Sequence, residues 1–580
     1  MPEAGSTTDI SCSAAQRLRQ ACDEYYGTFQ EITRRAQHRF ERREWKQVIE
    51  DAEERIGLYH DHLSLIEEDI RSILGGRLHD HALWNEIKEA FCAPYLNLYH
   101  ADLARIFFYS VMRRVFLDTG ESVEYSDDGI GSQLGSRLDG EEQKVVRIYR
   151  RTIVSPELIS KILKDFSFDV PFENLDTQSV LASERINEDL RKMTGGDTIE
   201  AIEMLSQPFF RNKAAYLIGR IRKEPLVLPL VIALLNPSTG ISLDAVLSNE
   251  EDVSNVFTSA RSNFHVEASA YREVFEFLRS IAPSRATPYL YSAIGFIHPA
   301  KLELVKELRQ HLEASGEHFG PAPGVPGTVM ITFSLPTFRY VFKVIRDISS
   351  KPTFAGPQHV KQQYWRVHRM DRVGRMLDIM TFHNLRFSRD HFVPELLDTL
   401  AQGAPSNVDI TQGQVVFRHL YAEREVFPLD VFLRDDSFSV PVRSQAAIDY
   451  GRAIKDLAAT GIFVGDYMPK NFGVTRYGRV VLYDYDDLDD LTRWNFRHLP
   501  DPPEWAECQA YDDWLSKGPY DMFPEHDLRL FCVPAGFQKS FLEHHEDILT
   551  PDYWNGIKAE LLAGNIPEFY PYTLAKRLES

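Results

Sequence analysis

Asp466 and Asn471 stand five positions apart in Gly465-Asp466-Tyr467-Met468-Pro469-Lys470-Asn471-Phe472-Gly473. A further acid, Asp484, follows thirteen positions after Asn471, at the end of the apolar run Val480-Val481-Leu482-Tyr483. An acid, an amide and a second acid in this order suit phosphoryl transfer. The first acid can take the proton of an attacking hydroxyl, and the other two can hold divalent cations against phosphate oxygens. Few residues suffice because the reaction is mostly positioning and charge neutralisation. The short pattern also recurs by chance. Tyr483-Asp484-Tyr485-Asp486-Asp487 read alone is equally a solvated strand end, so the motif needs its context.

The context is upstream. Residues 328–333 and 340–345 are rich in β-branched and aromatic side chains and read as two strands joined by a turn. Lys343 sits inside the second strand between Phe342 and Val344. A lysine in an apolar strand is costly without a negative partner, and a triphosphate is such a partner. A Gly- and Pro-containing loop precedes the pair. Loop, lysine strand, Asp-x4-Asn and metal Asp follow one another in the order of a protein kinase.

Five ordered blocks resemble one family, the bacterial isocitrate dehydrogenase kinase/phosphatases. They are the loop Ala322, Pro323, Gly324, Val325, Pro326, Gly327 and Thr328; the lysine strand 341–347; the segments 368–378 and 418–429; and 470–481. The resemblance spans the chain and is most specific over 320–486. It implies a bifunctional enzyme that uses ATP to phosphorylate an active-site serine of NADP-dependent isocitrate dehydrogenase and also removes that phosphate. Flux between the tricarboxylic acid cycle and the glyoxylate bypass would be set this way. By the same resemblance, residues 322–328 cover the nucleotide and Lys343 contacts its phosphates. Asp466 is the catalytic acid/base, Asn471 and Asp484 hold Mg2+ or Mn2+, and Lys470 steadies the phosphoryl group. Asp378 matches an active-site acid of the family, although 373–380 reads as helix, where an Asp is as readily a salt-bridged residue. Asp486 is a candidate for orienting water in the phosphatase direction.

The chain departs from ordinary protein kinases in three places. Val464-Gly465 replaces His-Arg before the catalytic Asp, Asp484-Tyr485-Asp486 replaces Asp-Phe-Gly, and no Ala-Pro-Glu follows. An activation-loop switch is therefore not expected. Control is assigned to the N-terminal half, with AMP as a candidate effector near the interface.

At 580 residues the chain needs at least two domains. A net charge of −20, from 65 basic and 85 acidic residues, argues against nucleic-acid binding through a broad basic surface. The five cysteines are scattered and lack C-x-x-C spacing, which fits a reducing cytoplasm and no zinc site. No signal peptide is apparent. The most apolar run, 226–235, is about half the length that spans a bilayer, so it is assigned to a core. A homodimer is left open.

The expected fold class is α+β: a large, helix-rich regulatory domain over 1–314, then a bilobal kinase-like domain over 315–580. Its small lobe is placed at about 315–421 and its large lobe at about 428–580. Apolar residues at spacings of three and four predict helices over 14–117, including Tyr25, Phe29, Ile32, Ala36 and Phe40 on one face. Helices are also expected over 198–221, 271–281, 301–314 and 445–460, a loop over 126–140, and a strand over 414–421 that enters a hinge.

Three histidine clusters look like metal sites but are discounted. In a helix His60 and His62, or His79 and His81, point about 200° apart, and His544-His545-Glu546 is read as solvated in the same way. Phe107-Phe108-Tyr109 is assigned to core. Two competing functions remain: a kinase-fold enzyme acting on a small molecule, and a pseudokinase-like nucleotide sensor.

Overall fold

The computed structural model describes residues 7–95, 101–116, 145–257, 264–267, 270–323, 327–351, 354–501, 515, 517–528, 533–565, 568 and 570–578. The N-terminal part opens with four helices: α1 (Thr7–Arg42), α2 (Trp45–Leu74), α3 (His81–Cys92) and α4 (Ala101–Phe116). Their apolar stripes close on one core that contains Ile32, Ile66, Trp84, Phe91, Phe107 and Phe108. The expected loop over 126–140 lies outside the described residues.

The region expected as one helix over 198–221 is instead sheet. Strands β1 (Val146–Arg150), β2 (Ala201–Leu205), β3 (Phe209–Arg211), β4 (Ala214–Lys223), β5 (Leu226–Leu235) and β6 (Ser242–Leu247) run in the order β1-β2-β4-β5-β6, with β3 beside β4. Asn212 turns the chain between β3 and β4 at φ 53, a left-handed geometry that Asn tolerates. Strand β4 then pairs along its whole length with the apolar strand β5. Both faces of this sheet are buried. Alternate residues such as Ile218 and Val231 enter one core, and Leu217 and Ile232 another. The helices α5 (Pro156–Lys164), α6 (Leu175–Thr194), α7 (Glu250–Val256) and α8 (Tyr271–Ile281) cover it. Residues 572–578 return to its edge. Leu578 N donates to Asp244 O at 2.7 Å, and the buried Asp244 carboxylate meets Tyr572 Oη and Arg577.

Helices α9 (Thr287–Ala293) and α10 (Ile297–Ser315) lead into a second six-stranded antiparallel sheet. It holds β7 (Gly320–Pro321), β8 (Met330–Ser334), β9 (Tyr340–Ile345), β10 (Ile379–Ser388), β11 (Val408–Ile410) and β12 (Gln414–Arg424). The order is β10-β12-β9-β8-β7, with β11 beside β12. Helix α11 (Pro357–Met370) lies between β9 and β10 in the chain, and α12 (Pro394–Gly403) between β10 and β11.

The helix expected over 373–380 does not form. The Asp371 carboxylate accepts from the backbone N–H groups of Val373, Gly374, Arg375 and Met376 at 2.8–3.3 Å. Such bonds can cap a helix, but Gly374 takes φ 68 and Leu377 N donates to Leu482 O rather than to a helical carbonyl, so the segment runs extended beside the strand that holds Leu482. The extended segment 375–377 follows, and β10 begins one residue after Asp378.

The chain continues with β13 (Phe427–Pro428) and the short α13 (Leu429–Phe432), then α14 (Val440–Ala459). It continues through β14 (Ile462–Val464), β15 (Phe472–Val474), β16 (Val480–Leu482) and β17 (Leu488–Asp490). His545 is a correction to the solvated reading. It is buried, with its ring against Gly451 of α14, where a Cβ would lie 2.2 Å from the ring, and its Nε2 meets Ile448 O at 2.8 Å. Among the described residues no helix is long and apolar enough to cross a membrane, and Cys12, Cys22 and Cys92 are free thiols.

Candidate active site

Two short antiparallel pairs bring the acidic residues together. In the first, Phe472 faces Leu482 and Val474 faces Val480, around a turn in which Gly478 N donates to Thr475 O. One step past this register Tyr483 N donates to Asn471 O at 3.1 Å. Asn471 therefore lies across from the residue before Asp484, and the hairpin accounts for the thirteen-residue spacing. In the second pair Val464 faces Leu488, and Gly465 N donates to Asp487 O at 2.8 Å. A Cβ on Gly465 would lie 2.9 Å from that carbonyl, so the close approach needs glycine. Asp466 thus leaves β14 at the end where Asp486 and Asp487 enter β17.

The loop between them is fixed from below. Tyr450 of α14 donates its hydroxyl to Tyr467 O, and Val464 N donates to Tyr467 Oη. Asp466 Oδ1 accepts from Met468 N at 3.0 Å, and Asn471 Nδ2 donates to Asp466 O at 3.1 Å. The Asn471 amide nitrogen is committed to the loop, which leaves its oxygen for a cation. Pro469–Asn471 forms a single 3-10 turn with Lys470 exposed on it.

Lys343 approaches from the other lobe. On β9, Phe342 and Val344 point into the core under the sheet, so Lys343 points to the opposite face. There its Nζ is 2.7 Å from Glu423 Oε2 and donates to Tyr483 O at 2.9 Å. One lysine therefore ties the small-lobe sheet to the residue preceding Asp484. Both ends of the ion pair are buried. Burial pushes the Glu423 carboxyl up to about 7, against the opposing pull of Lys343. Burial, and then the neighbouring Asp484 charge, likewise raise Asp486 to about 7. Lys351 sits 3.8 Å from Asp486 and 2.7 Å from Asp487. Asp486 Oδ1 and Glu423 Oε1 are buried without a hydrogen-bond partner. A pocket with crowded carboxylates and orphaned oxygens suits added positive charge.

The loop before β8 is partly described. Ala322 N donates to Thr332 O, Pro323 and Thr328 are exposed, and Gly327 O accepts from Arg346. Gly324, Val325 and Pro326 lie outside the described residues. Asp378 is buried behind the site. Leu377 N donates to Leu482 O on β16, and Asp378 Oδ2 accepts from Ser292 Oγ of α9 at 3.1 Å. Asp378 therefore lies where the N-terminal part meets the strand that leads to Asp484.

Residues 317–574 match the model for the isocitrate dehydrogenase kinase/phosphatase (AceK) kinase domain, and residues 15–316 match the regulatory domain of the same family. The chain belongs to the isocitrate dehydrogenase kinase/phosphatase family. A protein of that name from Anaeromyxobacter sp. (strain Fw109-5) is 38% identical over 571 residues, 98% of each chain. One from Xanthomonas euvesicatoria pv. vesicatoria is 33% identical over 97% of each. One from Aromatoleum aromaticum is 32% identical over 97% of this chain and 95% of the relative.

For this family member two features escaped sequence reasoning. Glu423 lay inside a quoted block without a role. Its signal was an acid two residues beyond Tyr421 on an apolar strand, which puts both on one face. The other is a cavity of about 710 Å³ between the N-terminal helices and the small lobe. Tyr364 and Tyr421 form part of its wall. Among apolar and aromatic side chains the lining carries Arg55, Arg113, Arg114, Lys301 and Lys361, and among the described residues no Asp or Glu lines it. His60, discounted as a metal ligand, lines it. His383 and His419 face each other across β10 and β12 there, with rings 4.9 Å apart. Burial, then the Lys301 charge, lowers His383 to about 4; burial, then His383, lowers His419 to about 2.

Proposed function

We propose that this chain transfers the γ-phosphoryl group of ATP to a serine of NADP-dependent isocitrate dehydrogenase and also removes it. It thereby controls flux between the tricarboxylic acid cycle and the glyoxylate bypass. The observation that carries the reading is the near-full-length match to proteins of that name, joined to a site in which Lys343, Asp466, Asn471 and Asp484 all stand in kinase order.

In the kinase direction Asp466 takes the proton of the serine hydroxyl as its oxygen attacks phosphorus. The bond from phosphorus to the bridging oxygen breaks, and ADP leaves. Lys343 holds the nucleotide phosphates, the 322–328 loop covers them, and Lys470 meets the transferring group. Asn471 and Asp484 would hold Mg2+ or Mn2+, which supplies charge neutralisation of the phosphates. Among the described residues no three His, Cys, Asp or Glu side chains form a cage. Such an ion would complete its shell with phosphate oxygens and water, the common manner for magnesium. Asp486, held near neutrality and beside Lys351, is suited to orient water in the phosphatase direction. Asp378 acts from behind the metal strand, where it links the strand to α9.

The chain divides near residue 315 into a regulatory and a catalytic domain, and it works in the cytoplasm. AMP is the effector. The cavity between the two parts, lined by five Arg and Lys side chains and, among the described residues, by no Asp or Glu, supports a nucleotide monophosphate there.

The test is transfer of labelled phosphate from ATP to purified isocitrate dehydrogenase, followed by a chase with ADP and no ATP. Labelling with loss of dehydrogenase activity, then release of the label, is expected. ATP binding without labelling would instead favour a small-molecule phosphotransferase or a sensor.

A further inference from the structure

Protein kinases place the lysine of the small-lobe sheet with a glutamate carried on a helix that follows the lysine strand. Here the helix in that position is α11, and its sequence Pro-Gln-His-Val-Lys-Gln-Gln-Tyr-Trp-Arg-Val-His-Arg-Met contains no Asp or Glu. It brings Tyr364 toward the lysine instead, with the ring centroid 6.0 Å from Lys343 Nζ. The carboxylate comes from the sheet. Tyr421 of β12 stands directly opposite Lys343, and Glu423 is two residues further along the same face. Glu423 Oε2 is 2.7 Å from Nζ, with the glutamate side chain 2% exposed. An ammonium has three N–H groups. Glu423 and Tyr483 O take two, in fixed directions, and the third is left for a phosphate oxygen.

We infer that Glu423 is the positioning residue for Lys343, replacing the helix-borne glutamate of other kinases with one anchored in the sheet. The inference rests on the kinase-type reading of the site. It has a structural consequence. Lysine and glutamate lie on neighbouring, hydrogen-bonded strands, so no outward swing of α11 can part them. The lysine site stays assembled whatever that helix does, and regulation must act elsewhere.

The experiment is equilibrium binding of ATP to the full chain for wild type, Glu423→Gln, Lys343→Met and the double variant, with thermal unfolding as the check on folding. Glu423→Gln is expected to weaken ATP binding about tenfold, the scale for loss of a charge-assisted contact. It should raise KM for ATP and leave KM for the protein substrate unchanged. On the Lys343→Met background the same change should have no further effect, because Glu423 acts through the lysine. Glu423→Asp, which keeps the charge but withdraws it by one methylene, should also bind ATP more weakly than wild type. It serves if Glu423→Gln does not fold. Multiplying losses in the double variant, or wild-type ATP affinity in either Glu423 variant, overturns the inference alone. A wild-type chain that binds no ATP overturns the kinase-type reading, and the inference with it.

Discussion

Tyr364 and Tyr421, stacked with ring centroids 4.4 Å apart, stand between two regions of opposite charge. On one side Glu423, Asp484, Asp486 and Asp487 crowd around Lys343 and Lys351. On the other, five Arg and Lys side chains and five histidines line a cavity in which, among the described residues, no carboxylate appears. Each is incomplete alone, in opposite senses. The acidic side needs cations before it can accept a polyphosphate. The basic side can accept a phosphate without any. A chain with a net charge of −20 thus keeps an anion-attracting chamber, because local charge and total charge are independent.

The largest expected effect falls on the acidic side. Asp466→Ala should lower phosphate transfer by roughly 10²–10⁴-fold while ATP still binds, the usual scale for a lost general base. Near wild-type labelling of the dehydrogenase by this variant would remove Asp466 from the reaction. Next, Asp484→Asn should shift the magnesium concentration for half-maximal labelling upward by about 10–100-fold, since one of two protein oxygens on the ion loses its charge. An unchanged magnesium titration would place the ion elsewhere.

On the basic side the effects are smaller. Lys301→Ala should weaken AMP binding by about tenfold, the scale for one charged hydrogen bond, with labelling in the absence of AMP unchanged. AMP that leaves the kinase-to-phosphatase ratio of the wild type unaltered would end the effector reading. The smallest effect concerns His383 and His419. Both are held well below the ordinary 6.5, so the unfolded chain binds protons that the fold refuses. Their contribution to stability is complete above pH 6.5 and is lost as pH falls toward the folded value of about 4 for His383. Thermal unfolding from pH 7.5 to 5 should show a falling midpoint, and the slope should flatten in His383→Gln. A slope equal to wild type in that variant would show that His383 titrates freely.

Much of the catalytic half was legible because local signals and tertiary structure agree there. Residues 340–345 are the strand that the β-branched run indicated, and the helix expected over 445–460 corresponds to α14. Where the readings differed, distant contacts decided. Residues 198–221 carry apolar residues at helical spacings, but the Asn212 turn and full-length pairing with β5 make them strands. Residues 373–380 are extended because Gly374 takes φ 68 and the backbone of Met376 and Leu377 pairs with Leu482, a partner distant in sequence. His545 is buried because Gly451, 94 positions upstream in the sequence, leaves room for its ring. Glu423 was unreadable as a partner for Lys343 because their adjacency depends on β12 lying next to β9, which separation in sequence conceals.

The strap formed by residues 572–578 sets an order on synthesis. Asp244 meets Tyr572 across 328 residues, so a ribosome has to complete nearly the whole kinase-like half before the regulatory sheet gains its last partner. Until then the Asp244 carboxylate, buried in the folded protein, lacks Tyr572 and Arg577 as partners. A premature stop shortly before Tyr572 would leave the kinase motifs intact and injure the other half of the protein.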